Sequence, residues 1–548
     1  MKRKILKLHF LRFINNKLFF ISTLVFFLFS VGYLMVGLYR DIQAGDDLFQ
    51  FVYTLWNTNK TSIYSFAFFL LISYEFCSKL YINKLDEAVR CTSKGLSSIS
   101  FYNVSVLMIY NVFYSFILLL YNCIIFLVMC SFEQAFILHV FFNILVNIFL
   151  VNTFAIMFGF AVSFFKSKIL SYLFIVVYLI LGSKIGESLA NAIVISTDNR
   201  FNAFKIFDFL NVFPPNMDWT PTYAMGFSIL PYRIILLLVW IFIFLTVGLC
   251  FIKSHKTKTM SVISIVLVIV FTISYFQPEA KLILNDNPEG EALADQYYYL
   301  NYDGEYSEAV FNVEKYDLRI KIDREFNCSS TMNLDCNSDE FVFTLYHGFR
   351  INEITDQQGN HLEFSRDGDY VSVFSVQNIN SVTIDYSGTG KGFYSNYQGL
   401  YLPGDFPYYP VAGKHVIYDD TYKSVIPNNA PEFTITVSSN LQVYSNLKSD
   451  EKNVFYGKTK VPCLFAGFLK TLKYEGMTLI YPYLYGETIY LEQILQDIEP
   501  NKFYGKTVFI EPHVNISFES FSREYDDVVL TSAFGGLVID ESEVEKLD

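Results

Sequence analysis

The chain has 548 residues, of which 52% are hydrophobic, 18% aromatic and only 17% charged, with a formal net charge of −12. Soluble chains carry about 25% charged residues, so three or four ordinary soluble domains, the division that length alone suggests, do not fit this composition. Modest Pro and Gly (15 and 27) beside 57 Phe and 40 Tyr exclude collagen-like, low-complexity and disordered classes.

The charge is divided unevenly. Residues 1–276 hold 21 Lys and Arg against 11 Asp and Glu, a net of +10, whereas residues 277–548 hold 20 against 42, a net of −22. A basic half beside an acidic one points to a membrane or a polyanion next to the basic part. Its apolar runs favour the membrane, and no nucleic-acid partner is expected.

Those runs lie at residues 18–38, 62–76, 104–129, 136–165, 169–185, 234–252 and 260–276. A helix of about 20 apolar residues covers the hydrocarbon core of a bilayer, so seven spans are predicted. The runs at 62–76 and 260–276 are short and need flanking residues. The first run is too long for a signal-peptide core and no small-residue cleavage site follows it, so it reads as a retained anchor. Lys and Arg collect on alternate loops: Lys2, Arg3, Lys4, Lys7, Arg12 and Lys17, then Lys79, Lys84, Arg90 and Lys94, then Lys166 and Lys168, then Lys253, Lys256 and Lys258. The positive-inside rule therefore predicts a multi-pass cell-membrane protein with a cytoplasmic N-terminus and everything after Gln277 outside the cell.

Taken in order, residues 1–17 alternate basic side chains with Ile5, Leu6, Leu8, Phe10, Leu11, Phe13 and Ile14, which predicts an amphipathic helix along an anionic leaflet or a simple basic flank. The loop after the second span is charged and helix-compatible, with Leu85, Ala88 and Val89 at helical spacing. Within the spans the polar residues are mostly Asn: Asn111, Asn122, Asn143, Asn147 and Asn152. Intramembrane polar residues are functional candidates, although interhelical hydrogen bonding accounts for them without a transport role.

This layout resembles ABC-2-type permeases over residues 1–255: an interfacial N-terminal helix, a first hairpin and a short coupling helix between spans two and three. The segment FDFLNVFPPNMDW is similar to that family's irregular outer element before its last span, and the run at 260–276 departs from the six-span pattern. The resemblance implies a separate ABC ATPase subunit docked at Leu80, Lys84, Asp86, Glu87 and Arg90, and a second permease chain enclosing the pathway. This chain has no ATPase motif of its own, because Gly388-Thr-Gly-Lys391-Gly392 lacks both the first Gly and the Ser or Thr of a P-loop.

From about residue 306 the periodicity changes to two, with Asp367-Gly368 as a hairpin signal. A mainly-β, sandwich-like domain over 306–485 follows, after a linker at 277–305. A helix in TIYLEQILQDIEP and a strand in TVFIEP then predict a short α/β tail over 486–548. The expected fold is thus a multi-domain membrane protein: an all-α polytopic domain of about seven helices over 18–276, then an extracytoplasmic β-domain. The strands VEKYDLRIKID, FVFTLYHGFRINEITDQQGNHLEF, EFTITVSSNLQVYSN and VPCLFAGFLKTLKYEGMTLIYP resemble the N-terminal β-domain of the aminopeptidase N family of zinc peptidases. The family's H-E-x-x-H motif is absent, and His361-Leu-Glu363 has the wrong spacing. A non-catalytic domain with no cofactor is expected.

Two further features of the outer half remain open. Tyr394, Tyr397, Tyr401, Tyr408 and Tyr409 form either an aromatic surface for peptide or glycan or a loop packed on the sandwich. Cys328 and Cys336 are close enough in sequence to pair across a turn, but the odd third cysteine, Cys463, argues against a disulfide framework. The leading expectation is a permease subunit of an ABC-type exporter whose outer domain binds peptide rather than cutting it. The alternatives are a membrane-anchored receptor or scaffold, and the non-catalytic half of a split zinc peptidase.

Overall fold

The structure is a computed structural model that describes residues 2–43, 51–83, 85–91, 95–129, 134–165, 167–196, 203–213, 229–252, 255–277, 298–299, 301–302, 304–336, 338–375, 379–388, 393, 395–419, 421–482, 503–511 and 522–531. The chain forms two compact units, one holding the described helices and the other the described strands.

The helical unit contains α1 (Lys2–Ile14), α2 (Lys17–Gln43), α3 (Phe51–Ile82), α4 (Leu85–Arg90), α5 (Gly95–Met129), α6 (Gln134–Ile144), α7 (Val151–Val162), α8 (Lys168–Leu181), α9 (Lys184–Ser196), α10 (Phe204–Leu210), α11 (Pro231–Ile252) and α12 (His255–Tyr275). A π-helical turn, Leu145–Leu150, joins α6 to α7 without interrupting the rod. Among the described residues, six stretches are long and apolar enough to cross a bilayer: Lys17–Arg40, Thr54–Ile82, Gly95–Val128, Phe136–Val162, Pro231–Ile252 and Thr257–Tyr275. The run expected at 62–76 is the middle of the 32-residue α3. Its polar N-terminal part (Thr54, Thr58, Thr61) is buried, so it continues the helix instead of ending it. The run expected at 169–185 stops early. Its helix has 14 residues, about 21 Å at 1.5 Å per residue, and Gly182 closes it by donating its N–H to Tyr178 O.

This unit is inside-out relative to a soluble protein. Large apolar side chains such as Leu24, Val25 and Leu28 on α2 and Val262, Ile263 and Val266 on α12 are exposed, while Asn111, Asn122, Asn147, Ser62, Ser65 and Arg233 are buried. Lipid tails solvate apolar surface, so apolar side chains need not be buried there, and polar groups share the interior with aliphatic ones such as Leu70, Val106 and Ile156. α3 and α7 approach closely because Gly159 lacks a side chain: a Cβ there would lie 2.5 Å from Leu70 O. Ser73 Oγ donates to Ile156 O across the same contact (2.8 Å). α1 docks on α5 through Phe13, 4.7 Å between ring centroids from Tyr110, and through His9, whose Nδ1 lies 2.9 Å from Asn103 Oδ1. Its apolar positions are thereby split, Phe13 facing inward while Leu8 and Leu11 stay exposed beside Lys4 and Lys7.

The second unit is built on a seven-stranded sheet in the order Lys448–Glu451, Val454–Lys458, Glu432–Ser438, Val313–Ile322, Phe326–Leu334, Ser381–Gly388, Phe349–Asp356. Strict alternation in Val313–Ile322 turns Tyr316, Leu318, Ile320 and Ile322 into the core and Lys315, Asp317, Arg319 and Lys321 away from it. The strand runs antiparallel to Phe326–Leu334 and parallel to Glu432–Ser438. A four-stranded sheet (Val411–Ala412, Glu340–Thr344, Tyr370–Phe374, Glu363–Asp367) contributes to the same core. The expected hairpin is present: Asp367 pairs with Tyr370, and Gly368 takes φ +58°, which suits glycine. A second four-stranded sheet contains Val443–Tyr444, Leu464–Ala466, Gly399–Leu402 and Ser395–Asn396. The last sheet (Leu469–Tyr474, Met477–Pro482, Thr507–Ile510, Val528–Thr531, Ser522–Glu524) has a parallel centre, as an α/β tail requires. The expected helix at 488–500 and most of the 277–305 linker lie outside the described residues.

Candidate functional site

Three groups of residues were singled out by the sequence. In the helical unit the Asn residues sit on the inner faces of α3, α5, α6 and α7. Asn122 Nδ2 on α5 donates to Thr58 Oγ1 on α3 (2.9 Å) and to Leu118 O (2.8 Å). Asn111 Nδ2 donates to Phe149 O (3.0 Å) and Thr153 Oγ1 (3.2 Å). Phe149 belongs to the π turn, where carbonyls leave the regular α-helical ladder, so this amide caps an irregular stretch of backbone. Asn147 Oδ1 accepts from Arg233 Nη1 (2.9 Å), and Arg233 Nη2 donates to Val212 O (3.1 Å). Asn143, Asn152 and Asn59 are also buried, and both polar side-chain atoms of each lack a hydrogen-bond partner in the described structure. The π turn starts between Asn143 and Asn147, and both are buried. Arg233 and the π turn were not anticipated. The arginine stands one residue before the apolar run that was recognised, and a π turn leaves no hydropathy signal.

The second group is the short helix α4. Leu80, expected to be available for docking, is buried with Cys77, Leu96, Phe160, Phe164 and Ile252, because it belongs to the inner face of α3. Val89 of α4 packs against that cluster, which leaves Leu85 (48% exposed) and Glu87 outward, with Asp86 half-buried. Lys84 and the Arg90 side chain lie outside the described residues.

The third group is the tyrosine-rich stretch of the β unit, where of the two readings the packed one describes three of its members and the binding surface does not. Tyr401, Tyr408 and Tyr409 are core residues. Tyr408 OH donates to Pro462 O (2.7 Å), and Tyr386 OH donates to Tyr408 O (2.7 Å). Each phenol finds a backbone or carboxylate acceptor, which makes full burial affordable. Tyr397 is exposed at 43%, and Tyr394 lies outside the described residues.

Tyr401 leads to a buried ion cluster that sequence reasoning missed. Its OH donates to Glu511 Oε1 (2.7 Å), which also accepts from Arg523 Nη2 (3.0 Å). Arg523 Nε donates to Asp405 Oδ2 (2.6 Å), which accepts in addition from Tyr525 OH (2.8 Å) and Ser424 Oγ (3.1 Å). Tyr401 and Glu511, Asp405 and Arg523, and Asp405 and Tyr525 are each more than 100 residues apart in sequence, which explains why no local motif marked the cluster. Burial pushes the Glu511 carboxyl above the ordinary carboxylate range; Arg523 opposes the rise and Asp405 adds to it.

Of the two readings for Cys328 and Cys336, the pairing is not present: both thiols are free. Cys328 is buried in the strand Phe326–Leu334 and Cys336 is exposed beyond its end. From Cys328 to Leu334 the chain is six residues of extended strand, about 20 Å, far beyond the reach of an S–S bond. Burial drives the Cys328 thiol up to about 12.

Among the described residues no group of three or more His, Cys, Asp or Glu is arranged to hold a metal ion. His347 Nδ1 lies 3.2 Å from Asp369 Oδ1 with Tyr298 stacked on its ring, His361 Nδ1 lies 3.0 Å from Glu353 Oε1, and His415 Nε2 lies 3.0 Å from Ala412 O. His513 lies outside the described residues.

No family model and no curated protein matches the chain. Solved structures similar to it include yeast LTA4 hydrolase in complex with bestatin, at 15% identity over 44% of each chain with a TM-score of 0.28. An M1 zinc metallopeptidase from Deinococcus radiodurans is similar at 13% identity, over 41% of this chain and 61% of that one, with a TM-score of 0.26. An aminopeptidase N family protein from Idiomarina loihiensis is similar at 12% identity, over 39% of this chain and 41% of that one, with a TM-score of 0.28. The chain thus covers less than two thirds of each of these proteins, and scores of this size define neither a family nor an activity.

Proposed function

We propose that the chain is the permease subunit of an ABC-type exporter, with a cytoplasmic N-terminus and an outer β-domain that binds peptide without cleaving it. The observation that carries this reading is α4. A six-residue helix is inserted between two long apolar helices, anchored by Val89 on a buried cluster, and it turns Leu85 and Glu87 outward. A short rigid element of this kind transmits movement of a partner into the α3 and α5 helices at its two ends. α1 docks on the same α5 and presents Lys4 and Lys7, and basic residues at one end of a helical bundle favour a cytoplasmic placement of that end. The non-catalytic reading is supported by the missing H-E-x-x-H motif. A second permease chain would complete the pathway.

Purification in mild detergent tests the partner. Wild-type protein is expected to retain a nucleotide-binding subunit, and D86K/E87K is expected to lose it while keeping the wild-type melting temperature. Absence of any ATPase from the wild-type preparation, or retention by the charge-reversed variant, overturns the proposal in favour of a membrane-anchored receptor.

A further inference from the structure

The C-terminal five-stranded sheet shares the hydrophobic core of the β unit. It is joined to it at Asp527, which accepts from Asn446 Nδ2 (2.7 Å) and Thr459 Oγ1 (3.0 Å), and is tied to it a second time through a buried guanidinium. Arg523, on the edge strand Ser522–Glu524, reaches Asp405 in the loop after Gly399–Leu402 and Glu511 just after Thr507–Ile510. All three side chains are buried. One positive charge stands between two carboxylates, so the cluster is neutral only when one carboxyl holds a proton. With both ionised, a dry site keeps an uncompensated negative charge, which proteins avoid.

The donors distinguish the two carboxyls. Asp405 Oδ2 receives three of them: Arg523 Nε, Tyr525 OH and Ser424 Oγ. Its Oδ1 is buried with no hydrogen-bond partner in the described structure. Glu511 receives Arg523 Nη2 and Tyr401 OH, both on Oε1, so a proton is accommodated on Oε2 without displacing either bond. The Glu511 backbone is held as well, its N–H donating to Thr531 O (2.7 Å) on the adjacent parallel strand. The titratable groups facing Glu511 are Arg523, Asp405 and Tyr401 from the cluster itself, with the buried Cys463 thiol also within its field.

We propose that Glu511, Arg523 and Asp405 form a proton-operated clasp that helps hold the C-terminal sheet on the β-sandwich and slackens as the pH rises. The sign follows from linkage. A carboxyl that binds its proton more tightly folded than unfolded contributes stability fully at low pH, and that contribution is lost as the pH rises through the folded-state value. Burial raises Glu511 in this sense. The clasp is independent of the permease reading, since it needs neither a partner chain nor transport.

Hydrogen–deuterium exchange on the full-length chain in detergent, corrected for the intrinsic rate at each pH, tests it. Across a series from about pH 4 to about pH 9, protection of residues 507–511 and 522–531 is expected to fall severalfold as the pH rises, with residues 313–334 unchanged. E511Q keeps the hydrogen-bonding shape and cannot titrate, so its profile is expected to be flat. R523Q is expected to lose protection of the same residues at every pH. A flat wild-type profile overturns the clasp whether or not the variants fold, as does an E511Q profile that falls like the wild type.

Discussion

Arg233 on α11 donates to Asn147 Oδ1 at 2.9 Å, and Asn147 lies within the π turn of the fourth apolar stretch. The bond ties a buried cation to the one irregular turn in that rod, and Val212 O takes a second donor of the same guanidinium. N147L is expected to cost about 1.5–3 kcal/mol, the range for a hydrogen bond to a charged group left without its acceptor. Thermal unfolding in detergent measures this, and a double-mutant cycle with R233M isolates the pair. An unchanged melting temperature for N147L refutes the pairing.

Close packing of α3 on α7 depends on Gly159. An added methyl meets Leu70 O at 2.5 Å and Ser73 Cβ at 2.8 Å, and backbone cannot step aside as a side-chain tip does. G159A is expected to destabilise the helical unit by about 1–3 kcal/mol through overpacking. G32A, at a position with nothing within 4 Å, is the control that is expected to stay at the wild-type melting temperature.

Leu80 and Leu85 are five residues apart and have opposite surroundings. L80A empties part of the cluster under α4 and is expected to cost about 2–5 kcal/mol. L85A is expected to fall within about 0.5 kcal/mol of wild type while weakening retention of the ATPase partner. Stability and co-purification measured on both variants separate a folding role from a docking role. If L85A is the unstable one, the assignment of faces is wrong.

The tyrosine stretch makes a similar contrast. Y408F removes a buried phenol that donates at 2.7 Å to Pro462 O and is expected to cost about 1–3 kcal/mol by leaving that acceptor unpaired. Y397A, at an exposed position, is expected to leave stability unchanged. A peptide ligand sensitive to Y397A but insensitive to Y408F at permissive temperature would locate binding at the exposed residue.

Cys336 is exposed, whereas Cys328 and Cys463 are buried, with the Cys328 thiol raised to about 12. If the β unit faces the outside as proposed, a membrane-impermeant maleimide applied to intact cells at neutral pH is expected to label it once, and C336S is expected to abolish that label. Because the thiolate is the nucleophile, Cys328 is expected to react only after unfolding. Labelling that appears only in permeabilised cells would reverse the proposed orientation.

Much of the architecture was legible because it depends on local solvent preference. Runs of Leu, Ile and Phe at 18–38 and 234–252 suit only a lipid environment at that length, and alternation in VEKYDLRIKID suits only a half-buried strand. The run at 62–76 needed flanking residues, and where they lay was not legible. Thr54, Thr58 and Thr61 look like a loop by hydropathy, yet Thr58 finds Asn122 on a neighbouring helix, and a partner 64 residues away leaves no local trace. Tyr401, Tyr408 and Tyr409 were equally ambiguous, since a phenol reads alike whether it faces solvent or finds a buried acceptor.

The sequence by itself determined the division into an apolar helical half and an acidic β half. Each follows from how single residues partition between lipid, water and core. Only the tertiary structure decided which polar groups meet: Arg233 with Asn147, Arg523 with Asp405 and Glu511, and Cys328 kept apart from Cys336. Hydrogen bonds and ion pairs act over about 3 Å, and which groups come that close is set by the packing of distant segments.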